Sequence, residues 1–373
     1  MKPWPLVALA GACILMAESS VTAAPPSVKW HDVTTWGVEG RLWGDEERVR
    51  WFDRFPAAAE KTVPENVWNL SRDSAGMAVR FATDAQAIRV RMKLLKANLA
   101  MPHMPATGVS GLDLYARDDA GAWRWVAATK PEKQEFEADL IAGLAPGRRE
   151  YLAYLPLYNG VESLAIGVPE AAAFERLAPR GQPIVFYGTS ITHGACASRP
   201  GMAHVAILGR RLDRPVANVG FSGNGKMDAA VGDLLARVDA ACYVIDCLPN
   251  MDANLVRERC APLVKRLRAA RPEVPIVLVE DRRFTNEWIL PAKKAFHDAN
   301  HAALRAAFEG LERDGVGGLF YLPGDGLLGA DGEGAVDASH PTDLGFMRQA
   351  DAFEPVLRAA LQEPSARASS GAK

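Results

Sequence analysis

The stretch "IVFYGTSITHG", residues 184 to 194, carries four apolar or aromatic residues straight into a glycine and a small hydroxyl-bearing turn. An unbroken apolar run of this length suits a strand buried on both faces, which is the habit of parallel sheets. In such sheets ligands meet the protein just outside the carboxyl ends of the strands. The turn Gly188–Thr189–Ser190 therefore stands where a reacting group would be presented. Similar runs follow, "PVANVGF", "ACYVIDCL" and "PIVLVED", separated by the amphipathic stretches "GMAHVAILGRRL", "DAAVGDLLARV", "NLVRERCAPLVKRLRAAR" and "PAKKAFHDANHAALRAAFEGLER". Buried strands alternating with helices predict a three-layer α/β/α domain on a parallel sheet, spanning residues 183–362.

Upstream the rhythm changes. "MAVRFATD", "AIRVRMKL", "GLDLYARDDAGAWRWVAAT" and "EYLAYLPLYN" alternate with period two between Asp, Gly, Asn and Pro turns. Short alternating strands without long amphipathic helices predict an antiparallel, jelly-roll-like β-sandwich over residues 28–177. "LYARDDAGAWRW" reads as a hairpin turning near Asp119–Gly121. Seven of the nine tryptophans lie here, Trp30, Trp36, Trp43, Trp51, Trp68, Trp123 and Trp125. Aromatic burial dominates core energetics, so they are expected in the core and at the seam between domains rather than as sugar-stacking platforms. "ERLAPRGQP", Glu175 to Pro183, combines Pro, Gly and charge without periodicity and reads as a hinge. The closing residues 363–373 read as a disordered tail.

The chain of 373 residues is 49% hydrophobic and 24% charged, with a formal net charge of −2. Charge this balanced, with no Lys/Arg block, argues against nucleic acid or an anionic membrane surface as partner. At the amino end, Lys2, an apolar run of about 12 residues and the small residues Val21, Ala23 and Ala24 resemble an export signal, residues 1–23. The run falls short of the roughly 20 residues that cross a bilayer. The expectation is an exported protein, periplasmic or secreted, with no integral membrane segment after cleavage. "LAGA" before Cys13 only loosely matches a lipoprotein signal. Beyond this leader lie Cys196, Cys242, Cys247 and Cys260. An exported chain permits disulfides. Cys196 with Cys247 is the first candidate pair, and free burial as small hydrophobes is the alternative.

Each strand of the second half delivers polar residues at its end. The first gives Gly188, Thr189 and Ser190; the second Ser222, Gly223 and Asn224; the third Asp246 and Asn250; and "VDASHPTDLG" puts Asp337 and His340 on one loop. Singly, each could be a helix cap or a turn residue. Together they supply what acyl transfer requires. Ser190 can serve as nucleophile, His340 as its base and Asp337 as the group that orients the imidazole. The N–H groups of Ser190 and Gly223 and the Asn250 amide can hold an oxyanion.

Four blocks in this order, "GTSIT", "NVGFSGNG", "LPNM" and "DASHP", resemble the signature of the SGNH, or GDSL-type, hydrolases, whose Ser, Gly, Asn and His fall on Ser190, Gly223, Asn250 and His340. Further upstream, "SGLDLYARDDAGAW", with Gly111, Asp113, Leu114 and Tyr115, resembles the GxDLY β-sandwich domain that precedes such esterases. Thr189 stands where most of the superfamily has Asp, and "LPNM" replaces Gly-Gly-Asn-Asp. No G-x-S-x-G elbow is present, because residue 192 is Thr. The resemblance implies an esterase that needs no cofactor and no metal. Its substrate is expected to be a small-molecule or glycan acyl ester, with O-acetyl groups on carbohydrate favoured by export and the appended sandwich. A lipid or thioester acylhydrolase, or a carbohydrate-binding protein with an inactive hydrolase domain, are the alternatives. Thr189, His193, Arg199 and Met251 are expected at the rim of the substrate pocket. His297 and His301 have i, i+4 spacing but lack the glutamate of H-E-x-x-H, and read as a solvated helix face. The acidic loop Asp325 to Asp337 does not match an EF-hand.

Overall fold

The computed structural model describes residues 27–362 apart from Asp45. The expected leader, the Cys13 motif and the tail 363–373 lie outside the described residues. Among the described residues no helix is long and apolar enough to cross a membrane.

The first half is a sandwich of two antiparallel sheets. Strands β1 (Val28–Asp32), β2 (Ala78–Thr83), β3 (Ala87–Leu94), β4 (Asp113–Arg117), β5 (Trp123–Ala128), β6 (Glu135–Ala142), β7 (Arg149–Tyr154), β8 (Val161–Pro169) and β9 (Phe174–Arg176) form it. A four-stranded sheet in the order β1-β8-β3-β6 faces a five-stranded sheet β5-β4-β7-β2-β9. Their alternating inward residues, among them Val79, Phe81, Ile88, Val90, Leu114, Tyr151 and Ile166, form one core. The hairpin falls between β4 and β5, where Gly121 takes a φ of +80° and Asp118 Oδ1 accepts the N–H groups of Ala120 and Ala122.

The second half carries a parallel sheet of β10 (Ile184–Gly188), β11 (Val216–Gly220), β12 (Cys242–Asp246), β13 (Ile276–Val279) and β14 (Leu319–Leu322). Its order is β11-β10-β12-β13-β14. The first strand is thus flanked by the second and the third, which makes its carboxyl end a topological switch point. The register is level there: Gly188 stands opposite both Gly220 and Asp246. Successive residues of β10 feed opposite layers. Val185 and Tyr187 join the helices Ala229–Ala236, Ala253–Ala270 and Pro291–Arg313, whereas Ile184 and Phe186 join His204–Arg211 and Asp343–Gln362. Both faces are therefore covered, as continuous apolar strands require.

The halves are tied together tightly. Leu42, Phe55, Val63, Val67 and Trp68, all from the first half, belong to the core under the helices of the second. Trp43 packs against that core and donates its indole N–H to Leu234 O, while Trp36 and Trp51 pack on the sandwich core. The buried Arg54 guanidinium donates to Asn218 O at 3.0 Å and Gly220 O at 2.8 Å, the last carbonyls of β11. The expectation of a hinge at Glu175–Pro183 is corrected by the same packing. Phe174–Arg176 is a strand paired with β2, and Arg180 is clamped by Glu39 and Asp213. The cysteine expectation resolves towards burial: Cys196, Cys242, Cys247 and Cys260 are buried and free, so Cys196 and Cys247 are not bridged.

Candidate active site

Ser190 opens the one-turn helix Ser190–His193, with Thr189 as its N-cap and Gly194 at a left-handed φ of 108° ending it. The turn is this tight because Gly188 lets the Thr192 side chain and the Asp246 backbone close on it. A Cβ there would stand 2.0 Å from Thr192 Oγ1 and 2.7 Å from Asp246 O, far inside contact distance, so a side chain would push the serine turn off the sheet.

The hydroxyl of Ser190 lies 2.8 Å from His340 Nε2, and His340 Nδ1 lies 2.8 Å from Asp337 Oδ2. With Nδ1–H donating to Asp337, Nε2 is left as the acceptor for the serine proton. Asp337 Oδ1 also accepts the N–H groups of Ser339 and His340. Partial burial pushes the Asp337 carboxyl up, but these hydrogen bonds outweigh it and hold it below its ordinary range. The loop is fixed from behind. Arg282 Nε donates to Ser339 O at 3.1 Å, Thr285 N–H donates to Ala338 O, and Arg282 Nη2 reaches Ser339 Oγ.

Gly223 follows β11 with a φ of +70°, and a Cβ built on it meets no atom within 4 Å. Glycine is suited to that left-handed backbone and leaves open space over its N–H. Asn250 ends a short 3-10 helix after β12. Its Oδ1 accepts the Gly225 N–H at 3.3 Å, which turns its NH₂ group away from Gly225. The four blocks thus gather at the switch point, and the arrangement can activate a hydroxyl, hold a developing oxyanion and protonate a leaving group.

The expected rim residues sit elsewhere. Thr189 is fully buried and its hydroxyl accepts the Ile191 N–H. His193 is fully buried, stacked on Tyr158 at 4.1 Å, and burial first, then Arg54 and Lys96, depress its basicity far below the ordinary histidine value. Met251 lies in the core under the helices. Arg199 binds Asp113 Oδ2 at 2.9 Å and the Tyr115 hydroxyl, both residues of the "GLDLY" stretch. Asp113 also accepts from Gly201 N–H at 2.8 Å and the Trp125 indole at 2.9 Å. These four belong to the site's scaffold because helix capping, burial and the seam between the halves already engage them. His297 and His301 are likewise buried rather than solvated. His297 Nδ1 meets Glu287 Oε2 at 2.6 Å and His301 Nε2 donates to Asp281 O at 2.8 Å. Among the described residues no group of three or more His, Cys, Asp or Glu converges as a metal site.

Beside His340 and Asp337 opens a cleft of about 700 Å³ whose opposite wall comes from the first half: Asn66, Asn69, Leu70, Asp73, Lys96, Met101, His103 and Tyr158. None of these was singled out by sequence. Tyr158 donates to Ser190 O at 3.3 Å, and Lys96 Nζ lies 2.5 Å from the buried Asp73 Oδ1. No spacing rule marks such residues, because only tertiary packing brings them beside the loop of Asp337 and His340.

Residues 181–358 match the GDSL-like lipase/acylhydrolase family, and residues 28–174 match GxDLY, the N-terminus of SGNH-hydrolase-type esterases. A solved Bacteroides ovatus structure named as a GDSL-like lipase is 32% identical, with a TM-score of 0.85, over 91% of this chain and 100% of that one. The chain belongs to the GDSL-like lipase/acylhydrolase family. As a member of it, the protein is an esterase or acylhydrolase. Its fold is shared with the salicylyl-acyltransferase SsfX3 from a tetracycline biosynthetic pathway, at 18% identity and a TM-score of 0.73 over 91% of this chain and 99% of that one. A family two carbohydrate esterase from Cellvibrio japonicus aligns at 14% identity and a TM-score of 0.57, over 90% and 99%. The comparison with curated proteins finds no match.

Proposed function

We propose that this GDSL-like family member is an exported serine esterase that removes short acyl groups, acetyl above all, from carbohydrate. The observation that carries the mechanism is the relay Ser190 Oγ–His340 Nε2–Asp337, with both links at 2.8 Å. Ser190 attacks the acyl carbon as His340 takes its proton. The N–H groups of Ser190 and Gly223 and the Asn250 amide stabilise the oxyanion. His340 then protonates the departing alcohol, and water, activated by the same imidazole, cleaves the acyl-enzyme. Asp337 keeps the imidazole in the required tautomer and offsets its positive charge. Each step uses only these side chains, the two backbone N–H groups and water.

The carbohydrate part rests on the fold shared with a carbohydrate esterase and on the polar side chains Asn66, Asn69, Lys96 and His103 among those that line the cleft. Export rests on the sequence of residues 1–23. The test is release of p-nitrophenol from p-nitrophenyl acetate, and of acetate from acetylated oligosaccharides, by wild type and Ser190→Ala. Wild type is expected to turn over both, and the variant to lose at least about 10³-fold in kcat. Turnover by Ser190→Ala at the wild-type rate rejects the mechanism. A chain-length series of p-nitrophenyl esters that peaks at long acyl groups favours a lipid acylhydrolase instead.

A further inference from the structure

The helix Glu65–Ser71 belongs to the first half of the chain yet forms part of the cleft beside His340. Val67 and Trp68 are buried in the core under the helices of the second half, which fixes the helix against the catalytic domain. Asn66 and Asn69, three residues apart and so neighbours on the helix surface, are both exposed and both line the cleft. Each carboxamide offers two donors and an acceptor. Lys96 adds a further polar group, its ammonium held by Asp73 at 2.5 Å and by Tyr158 O at 3.1 Å.

Leu70 and Met101 give the same cleft apolar surface, whereas the Asn66–Asn69 part of the wall is matched to hydroxyl groups. An alkyl acyl chain laid against it would strip water from carboxamide donors and acceptors without replacing the hydrogen bonds. The alcohol of the ester, by contrast, must lie within reach of His340, which protonates it on departure, and His340 lines this same cleft. We infer that Asn66 and Asn69 determine specificity for the alcohol half of the substrate by hydrogen-bonding the hydroxyls of a sugar or similar polyol. The inference rests on the esterase reading above and extends it to the leaving group.

The test holds the acyl group constant and changes the alcohol. Initial rates on a mono-O-acetylated methyl glucopyranoside and on n-hexyl acetate give the ratio of their kcat/KM values for wild type, Asn66→Ala, Asn69→Ala, the double variant and Asn69→Ser. Loss of a hydrogen bond to a substrate hydroxyl is expected to lower the ratio about tenfold per asparagine, through KM more than kcat, with partial recovery in Asn69→Ser. Both positions are exposed on a helix, where alanine is well tolerated, and circular dichroism confirms folding. An unchanged ratio in the double variant overturns the inference while leaving the esterase reading intact. Hydrolysis of hexyl acetate but not of the sugar ester by wild type also overturns it. A wild type inactive on both esters overturns the esterase reading and this inference with it.

Discussion

Ser190 Oγ lies 2.8 Å from His340 Nε2 although 150 positions separate the two residues. The contact closes because β10 ends at the switch point while the loop carrying His340 is tied down by Arg282 and Thr285. Asp337 completes the arrangement from the partly exposed side of the imidazole. Asp337→Asn should therefore lower kcat by roughly 10²–10⁴-fold by favouring the wrong tautomer. KM and the thermal midpoint should change little. Stopped-assay kinetics with p-nitrophenyl acetate check this, and an unaffected kcat removes Asp337 from the mechanism.

The proposed oxyanion site makes a separate prediction. Asn250 is held by Gly225 N–H, so Asn250→Ala should remove one donor without moving the nucleophile. The expected loss is roughly 10²–10³-fold in kcat, with KM nearly constant. A change confined to KM would mean that the amide binds ground-state substrate only.

Asp113 is a latch between the halves, fully buried and accepting from Arg199, Gly201 and Trp125. Asp113→Ala leaves the partly buried Arg199 charge without its carboxylate. A cost of about 3–5 kcal/mol follows, measured as a fall in the urea midpoint. Arg199→Ala made in the same background should add far less than it does alone. Full additivity would show that the two residues do not act as a pair.

Asp246 lies behind the nucleophile turn, where its Oδ2 accepts the Thr192 hydroxyl at 2.8 Å. Burial pushes its carboxyl up to about 7, against the smaller opposing effects of Thr192 and Arg282. The unfolded chain releases that proton near 3.9. Between these two pH values the native state binds the extra proton, so this group makes stability fall as pH rises. Asn can still accept from Thr192 and does not titrate. The stability of wild type relative to Asp246→Asn should thus drop by about 2–4 kcal/mol between pH 4 and pH 8, read from urea denaturation. A difference that stays constant across that range would show that Asp246 does not titrate there.

The α/β domain was readable because Ser190, Gly223 and Asn250 each follow a buried strand within a few residues, so chain order and strand topology alone bring them to one edge. His340 and Asp337 were readable from their spacing within one loop. The sandwich strands were readable from their alternation. The helix Glu65–Ser71 was not, being a single short segment whose apolar residues Val67 and Trp68 face a core in the other half of the chain. The same long-range packing hid the cleft wall. His297 and His301 misled in the opposite direction. Two histidines one turn apart suggest water when read locally, yet Glu280, Asp281 and Glu287 from elsewhere surround them. Arg199 was expected at the pocket rim, but its partner Asp113, 86 positions away, holds it at the seam between the halves.

Arg54 carries a consequence for how such a chain can be built and shuffled. Its guanidinium covers the terminal carbonyls of the strand beside the nucleophile, and Phe55 follows it into the neighbouring apolar layer. A fragment beginning at Gln182 would leave those carbonyls bare and an oily flank open to solvent. The front half thus supplies part of the rear half's own core, so the rear half made alone is expected to be less stable.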